Sequence, residues 1–146
     1  MRHLPVFVLI LLGACSSGGD GPAPLAANEV SMRDLRWEHR LLVIRPEDVA
    51  TTESTLAAAA DELTDRDMLW FIFSGTDVRT NLEGQPGATL LDELEELLDE
   101  AKSEVVLVGK DGGVKRRAER LDLEAVCGLI DTMPMRRREV RERKSD

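Results

Sequence analysis

Two short apolar runs stand out in a largely polar chain. Leu41-Leu42-Val43-Ile44 stops at Arg45-Pro46, and Met68-Leu69-Trp70-Phe71-Ile72-Phe73 lies between polar segments. Neither alternates, which is the pattern of strands covered on both faces. Between them Leu56, Ala59, Ala60 and Leu63 recur at helical spacing, with Thr51 or Thr52 placed to cap the helix and Thr64-Asp65-Arg66-Asp67 to break it. Strand, helix, strand predicts a parallel βαβ unit with a right-handed crossover. Ser74 to Gly87 holds three glycines and Pro86 and reads as loop. Thr89 is then placed to cap a helix in which leucines 90, 91, 94, 97 and 98 share one face, while acids through Glu100 form a solvated opposite face.

The strongest turn signal comes next. Val105-Val106-Leu107-Val108 runs through Gly109 into Lys110-Asp111-Gly112-Gly113 and leaves as Val114-Lys115-Arg116-Arg117. This predicts a buried strand, a turn using glycine at φ > 0, and a polar returning strand. Asp122 is placed to cap Leu123 to Met133, where Leu123, Val126, Cys127 and Ile130 share a face and put Cys127 inward. Pro134 ends or kinks that helix. Trp37, in the polar stretch Glu29 to Arg40, is expected to seal an edge of the core.

The order βαβ-α-ββ-α predicts a single α/β domain of thioredoxin-like plan. Its four-stranded mixed sheet has the expected order 2-1-3-4 and is flanked by three helices, with Leu41–Ile44 inside and Val114–Arg117 at an edge. The expected organisation is 1–14 as a lipoprotein signal peptide, 15–31 as lipidated cysteine and tether, 32–134 as the domain, and 135–146 as a basic tail.

The amino terminus carries the address. Met1-Arg2-His3 precedes an apolar run from Leu4 to Leu12, which is too short for a spanning helix but fits a secretory signal. Leu12-Gly13-Ala14-Cys15 resembles the lipobox of bacterial lipoproteins, which implies lipidation of Cys15 and membrane attachment through more than one acyl chain. Ser16 in place of aspartate after the cysteine points to the outer membrane, facing the periplasm. The alternative is a secreted or periplasmic protein with an ordinary signal peptide. Ser16 to Asn28, rich in Gly, Pro and Ala, suits a flexible tether.

Charge narrows the partners. The net charge is −9, and removing the first fifteen residues leaves 18 basic against 28 acidic side chains. Such a surface repels phosphate backbones, so no nucleic acid is expected. Positive charge gathers instead at the carboxyl end, where Arg136, Arg137, Arg138 and Arg141 are candidate partner-binding residues in a segment that also holds Arg143 and Lys144. Aromatics are only 3% of the chain, so the core must be aliphatic.

Three stretches are recognisable together: Leu35-Arg36-Trp37-Glu38-His39-Arg40-Leu41-Leu42-Val43, Val108-Gly109-Lys110-Asp111-Gly112-Gly113-Val114-Lys115, and Leu129-Ile130-Asp131-Thr132-Met133-Pro134-Met135-Arg136-Arg137. They resemble the DUF4174 family, a set of bacterial secreted or lipid-anchored domains of unknown function related to the thioredoxin- and peroxiredoxin-like domain of some animal matrix proteins. The resemblance spans roughly Met32 to Arg141. It implies the fold and an extracytoplasmic address, and transfers no catalytic residue.

Thiol chemistry of that fold needs a cysteine just after the first strand, where a helix amino terminus lowers its pKa. Here that segment is Pro46-Glu47-Asp48-Val49-Ala50-Thr51-Thr52. Active relatives also place a proline before the hairpin, where this chain has Ser103-Glu104. Cys127 is the one thiol left beside Cys15, and His39 the one histidine after His3, so neither a disulfide nor a His-rich metal site is expected. No phosphate-loop pattern or nucleophile elbow occurs, and no cofactor is expected. Two classes of function follow. One is a non-catalytic envelope lipoprotein that binds another protein; the other is a single-cysteine thiol or peroxide antioxidant enzyme using Cys127.

Overall fold

The computed structural model describes residues 29–145. The signal peptide, Cys15 and most of the 15–31 tether lie outside the described residues. The elements run α1 Met32–Leu35, β1 Arg40–Ile44, α2 Val49–Ala58, α3 Ala60–Asp65, β2 Met68–Ser74, β3 Asp77–Thr80, α4 Ala88–Ala101, β4 Val105–Val108, β5 Val114–Ala118, α5 Leu123–Thr132 and α6 Pro134–Arg143.

They form a mixed α/β domain around one sheet of order β3-β2-β1-β4-β5. β1 and β2 are parallel, with Leu42 opposite Trp70, and the remaining pairs are antiparallel. The strand order 2-1-3-4 expected from sequence survives as β2-β1-β4-β5, and the polar β5 is at an edge. A fifth strand, β3, forms within the segment expected to be loop. Asp77-Val78-Arg79-Thr80 is too short and polar to stand out, yet Gly75 at φ 59° turns the chain so that Asp77 pairs with Ser74.

Alternation along β1 explains its uninterrupted apolar run. Leu41 and Val43 face a core layer with Phe71, Leu90, Leu94, Leu98 and Val106, beneath α4. Leu42 and Ile44 face the other layer, with Leu56, Leu63, Ile72, Leu107, Val126 and Ile130, beneath α2, α3 and α5. Both faces are therefore covered, and a strand in that position needs apolar residues at every step.

The helices depart from expectation in several places. The first predicted helix is two, α2 and α3, separated at Ala59. Its cap is Asp48, which accepts from the Thr51 N–H at 3.0 Å, and not Thr51 or Thr52. α4 begins at Ala88 after Gly87, so Thr89 lies inside it. There the Val30 backbone approaches: Gly87 N–H donates to the Val30 carbonyl at 3.0 Å, and a β-carbon at Gly87 would meet that oxygen at 3.1 Å. Beyond α5, the 135–146 segment read as a tail is mostly helix. Pro134 is the first residue of α6, a position where its missing N–H is no loss.

Candidate functional site

The hairpin turn, the start of β1 and the α5–α6 junction all reach the same end of the sheet, and charged side chains join them there. Arg40 opens β1 and its side chain is 1% exposed. Its guanidinium donates to the Arg66 carbonyl at 2.7 Å and to both oxygens of Glu139 on α6, at 3.1 and 3.3 Å. Lys110, from the turn after β4, places its ammonium 2.9 Å from the same carboxylate and 2.8 Å from Asp67. Glu139 thus receives two cations, one from the head of β1 and one from the β4–β5 turn.

A second tier continues the network. Arg136, 5% exposed, donates to the Asp65 carbonyl at 2.7 Å, pairs with the Asp65 carboxylate, and lies 3.3 Å from Asp131. Arg66 grips Asp131 with two bonds of 2.7 and 3.1 Å. Arg143, one helical step beyond Glu139, pairs with Asp65 at 2.6 Å and reaches Asp67 at 3.6 Å. Arg40, Arg66, Lys110, Arg136 and Arg143 together face Asp65, Asp67, Asp131 and Glu139. Nearly balanced charge and filled hydrogen bonds are what allow Arg40, Lys110 and Arg136 to leave water.

The network leaves its mark on proton affinities. Burial pushes the Glu139 carboxyl up, but hydrogen bonds from Lys110 and Arg40 outweigh it and hold the group below the ordinary glutamate value. Asp131 is lowered chiefly by its bond from Arg66. Arg66 is correspondingly raised by Asp131.

Arg136, expected on the partner-binding surface, is instead a buried strut. The other three candidates, Arg137, Arg138 and Arg141, are exposed on the opposite side of α6, without an ion-pair partner among the described residues. The arginine run is one patch in sequence, but a helix turns about 100° per residue and divides it. Of the further members of the site, Lys110 and Glu139 carry no local signal. Only a lone charge at the head of an apolar run, Arg40, hints at a buried partner.

The place where thiol chemistry was sought is at the far end of β1. A cavity of about 290 Å³ lies there, lined by Pro46, Glu47, Asp48, Thr51, Thr52 and Glu104, among others. Asp48 is committed to capping α2. Cys127 does not line it; it is buried on α5 at 6% exposure, and burial raises its thiol pKa, with nearby Arg66 acting the other way. Among the described residues no group of three or more His, Cys, Asp or Glu side chains is arranged to hold a metal ion.

Trp37 does not seal the core. It is 55% exposed at φ 73°, its N–H donates to the Lys110 carbonyl at 2.6 Å, and the Arg36 guanidinium lies 5.1 Å from its ring centre. The Trp37 loop, the Lys110 turn and α6 therefore belong to one end of the molecule.

A family model described as "Domain of unknown function (DUF4174)" matches residues 31–139. The chain belongs to the DUF4174 family. No curated protein and no solved structure matches it. The DUF4174 match begins beside α1 and closes at Glu139, so it contains the network's Arg40, Asp67, Lys110, Asp131 and Arg136, while Arg141 and Arg143 lie beyond it. Within this DUF4174 domain, the three stretches that stand out in the sequence are those that supply Arg40, Lys110 and Asp131 with Arg136.

Proposed function

We propose that this DUF4174 protein is a non-catalytic, thioredoxin-like lipoprotein of the cell envelope that works as a protein-interaction module. Lipidated Cys15 tethers it, with Ser16 directing it to the outer membrane, and the outer face of α6 binds an acidic partner protein. One observation carries the reading: Arg136, Glu139 and Arg143 anchor α6 to the domain, while Arg137, Arg138 and Arg141 project outward without carboxylate partners among the described residues. A helix immobilised on one side and cationic on the other presents charge at little further entropic cost.

The thioredoxin-like assignment is supported by the β2-β1-β4-β5 arrangement, a parallel pair followed by an antiparallel hairpin. The non-catalytic assignment is supported by the cysteine-free Pro46–Thr52 segment and by the burial of Cys127, which favours the unreactive thiol.

In-cell crosslinking through residues on α6 tests the reading. Arg137→Glu, Arg138→Glu and Arg141→Glu together should abolish the crosslinked species while Cys15-dependent incorporation of labelled palmitate continues. Retention of the same crosslinks by the triple variant would refute the partner assignment, and failure to incorporate palmitate would refute the tether.

A further inference from the structure

We infer that the sheet end between Trp37, the Lys110–Gly113 turn and Met133–Met135 is a docking surface for an acidic segment of a partner protein that carries one apolar anchor side chain. The inference rests on the α6 reading above and specifies the partner's chemistry.

Trp37 is the one large hydrophobic side chain exposed among the described residues. A bulky residue at φ 73° occupies backbone space that costs free energy. Here the conformation is locked by the short bond to the Lys110 carbonyl, and it turns the indole outward. Arg36 lies over the ring and makes no side-chain hydrogen bond or ion pair among the described residues, leaving its donors free. Gly112, at φ 82°, passes beneath it; a β-carbon there would lie 3.7 Å from Arg36 Nε. Exposed Trp beside unpaired Arg is the composition that dominates protein-binding hot spots.

Across the same turn lies a hollow of about 270 Å³, lined by Arg40, Lys110, Asp111, Lys115, Met133 and Met135, with Gly109 and Pro134. Its cations are already answered: Arg40 by Glu139, Lys110 by Glu139 and Asp67, and Lys115 by Asp111 at 2.6 Å. The hollow therefore has no outstanding demand for an anion, and its methionines offer soft, adaptable apolar walls. A single aliphatic side chain fits that description better than a free ligand.

The rim differs from the hollow in charge. Arg36 lies against Gly112 of the same turn, beside Trp37, and α6, which starts at Pro134 in the hollow's wall, carries Arg137, Arg138 and Arg141 onward. An occupant must match both features, with carboxylates for the rim and one apolar group for the hollow. The chain's own strongly acidic remainder is no obstacle, since the steering charge sits at this end.

The test uses full-length protein in detergent and a labelled Asp/Glu peptide with one central Leu, beside the same peptide with Ala in that place. Fluorescence anisotropy should show the Leu peptide binding about tenfold tighter than the Ala peptide. Met135→Asn, which makes the hollow's wall polar, should remove that advantage, and Trp37→Ala should weaken both peptides about tenfold, the loss expected for a hot-spot truncation. Triple reversal of Arg137, Arg138 and Arg141 should weaken both peptides. Equal binding of the two peptides, an undiminished Leu advantage in Met135→Asn, or undiminished binding in Trp37→Ala would overturn the inference even if the triple reversal still acted, in which case the α6 reading alone survives. Binding to vesicles of anionic phospholipid that depends on Trp37, with neither peptide bound, would overturn it in favour of a membrane surface.

Discussion

Arg40 and Glu139 stand 99 positions apart in sequence and meet through two hydrogen bonds of 3.1 and 3.3 Å, tying the first residue of β1 to the middle of α6. Truncating one side of such a pair leaves the other charge buried without a counterion, which costs more than the pair itself contributes. Glu139→Gln should therefore lower stability by about 3 kcal/mol, since it leaves Arg40 buried without its carboxylate and Lys110 with Asp67 alone. The combination Arg40→Met with Glu139→Leu should recover most of that loss, because Lys110 keeps Asp67. Urea unfolding of the three proteins decides it, and a double variant no better than Glu139→Gln would contradict the account.

Acid should act through the same carboxylates. Glu139 and Asp131 have lower pKa values folded than unfolded. As pH falls below the ordinary carboxylate range, the unfolded chain takes up protons first and is favoured. Their contribution is thus complete above that range and disappears as pH drops through the depressed folded values. The urea midpoint should fall on acidification, with a shallower fall in Glu139→Gln. Parallel profiles for the two proteins would remove Glu139 from the explanation.

The arginines of α6 should behave as two classes. Arg137→Glu, Arg138→Glu and Arg141→Glu alter solvated positions and should each change stability by less than about 0.5 kcal/mol. Arg136→Glu puts a carboxylate between Asp65 and Asp131 and should cost about 3 kcal/mol or more. Thermal melts of the single variants check this, and a similar loss at all four positions would mean that α6 has no distinct inner face.

Cys127 should be a slow thiol. At 6% exposure, with its pKa raised by burial, it should react with a disulfide reagent far more slowly than in urea-unfolded protein. Cys127→Ala should cost about 1 kcal/mol of packing and leave partner crosslinking intact. Rapid labelling of the native thiol would reopen the antioxidant reading.

Trp37 offers a trade between stability and binding. Glycine tolerates φ 73° without strain, so Trp37→Gly should be neutral or stabilising by up to about 1 kcal/mol while losing the docking surface. A clear destabilisation would show that the indole works for the fold and not for a partner.

Much of this architecture can be read from short windows of chain. The apolar runs at Leu41–Ile44 and Met68–Phe73, the leucine face of α4 and the Gly112 turn follow from periodicity and backbone preference, which involve only near neighbours. So does the inward position of Cys127. β3 escaped because four half-exposed residues leave too weak an alternation to separate a strand from a loop. The capping role of Asp48 over Thr51 escaped because both are good caps a few residues apart.

The division of the carboxyl-terminal arginines has a different origin. No pattern within Arg136-Arg137-Arg138 distinguishes the strut from its neighbours, because the distinction depends on where Asp65 and Asp131 arrive after the chain has folded. Trp37 is turned outward for a similar reason: its backbone is held by Lys110, which belongs to the distant β4–β5 turn. Local composition dictates strands, helices and turns because those are governed by neighbours in sequence. Which charges are neutralised and which remain available to a partner is settled by contacts between distant segments, and these exist only in the assembled sheet end.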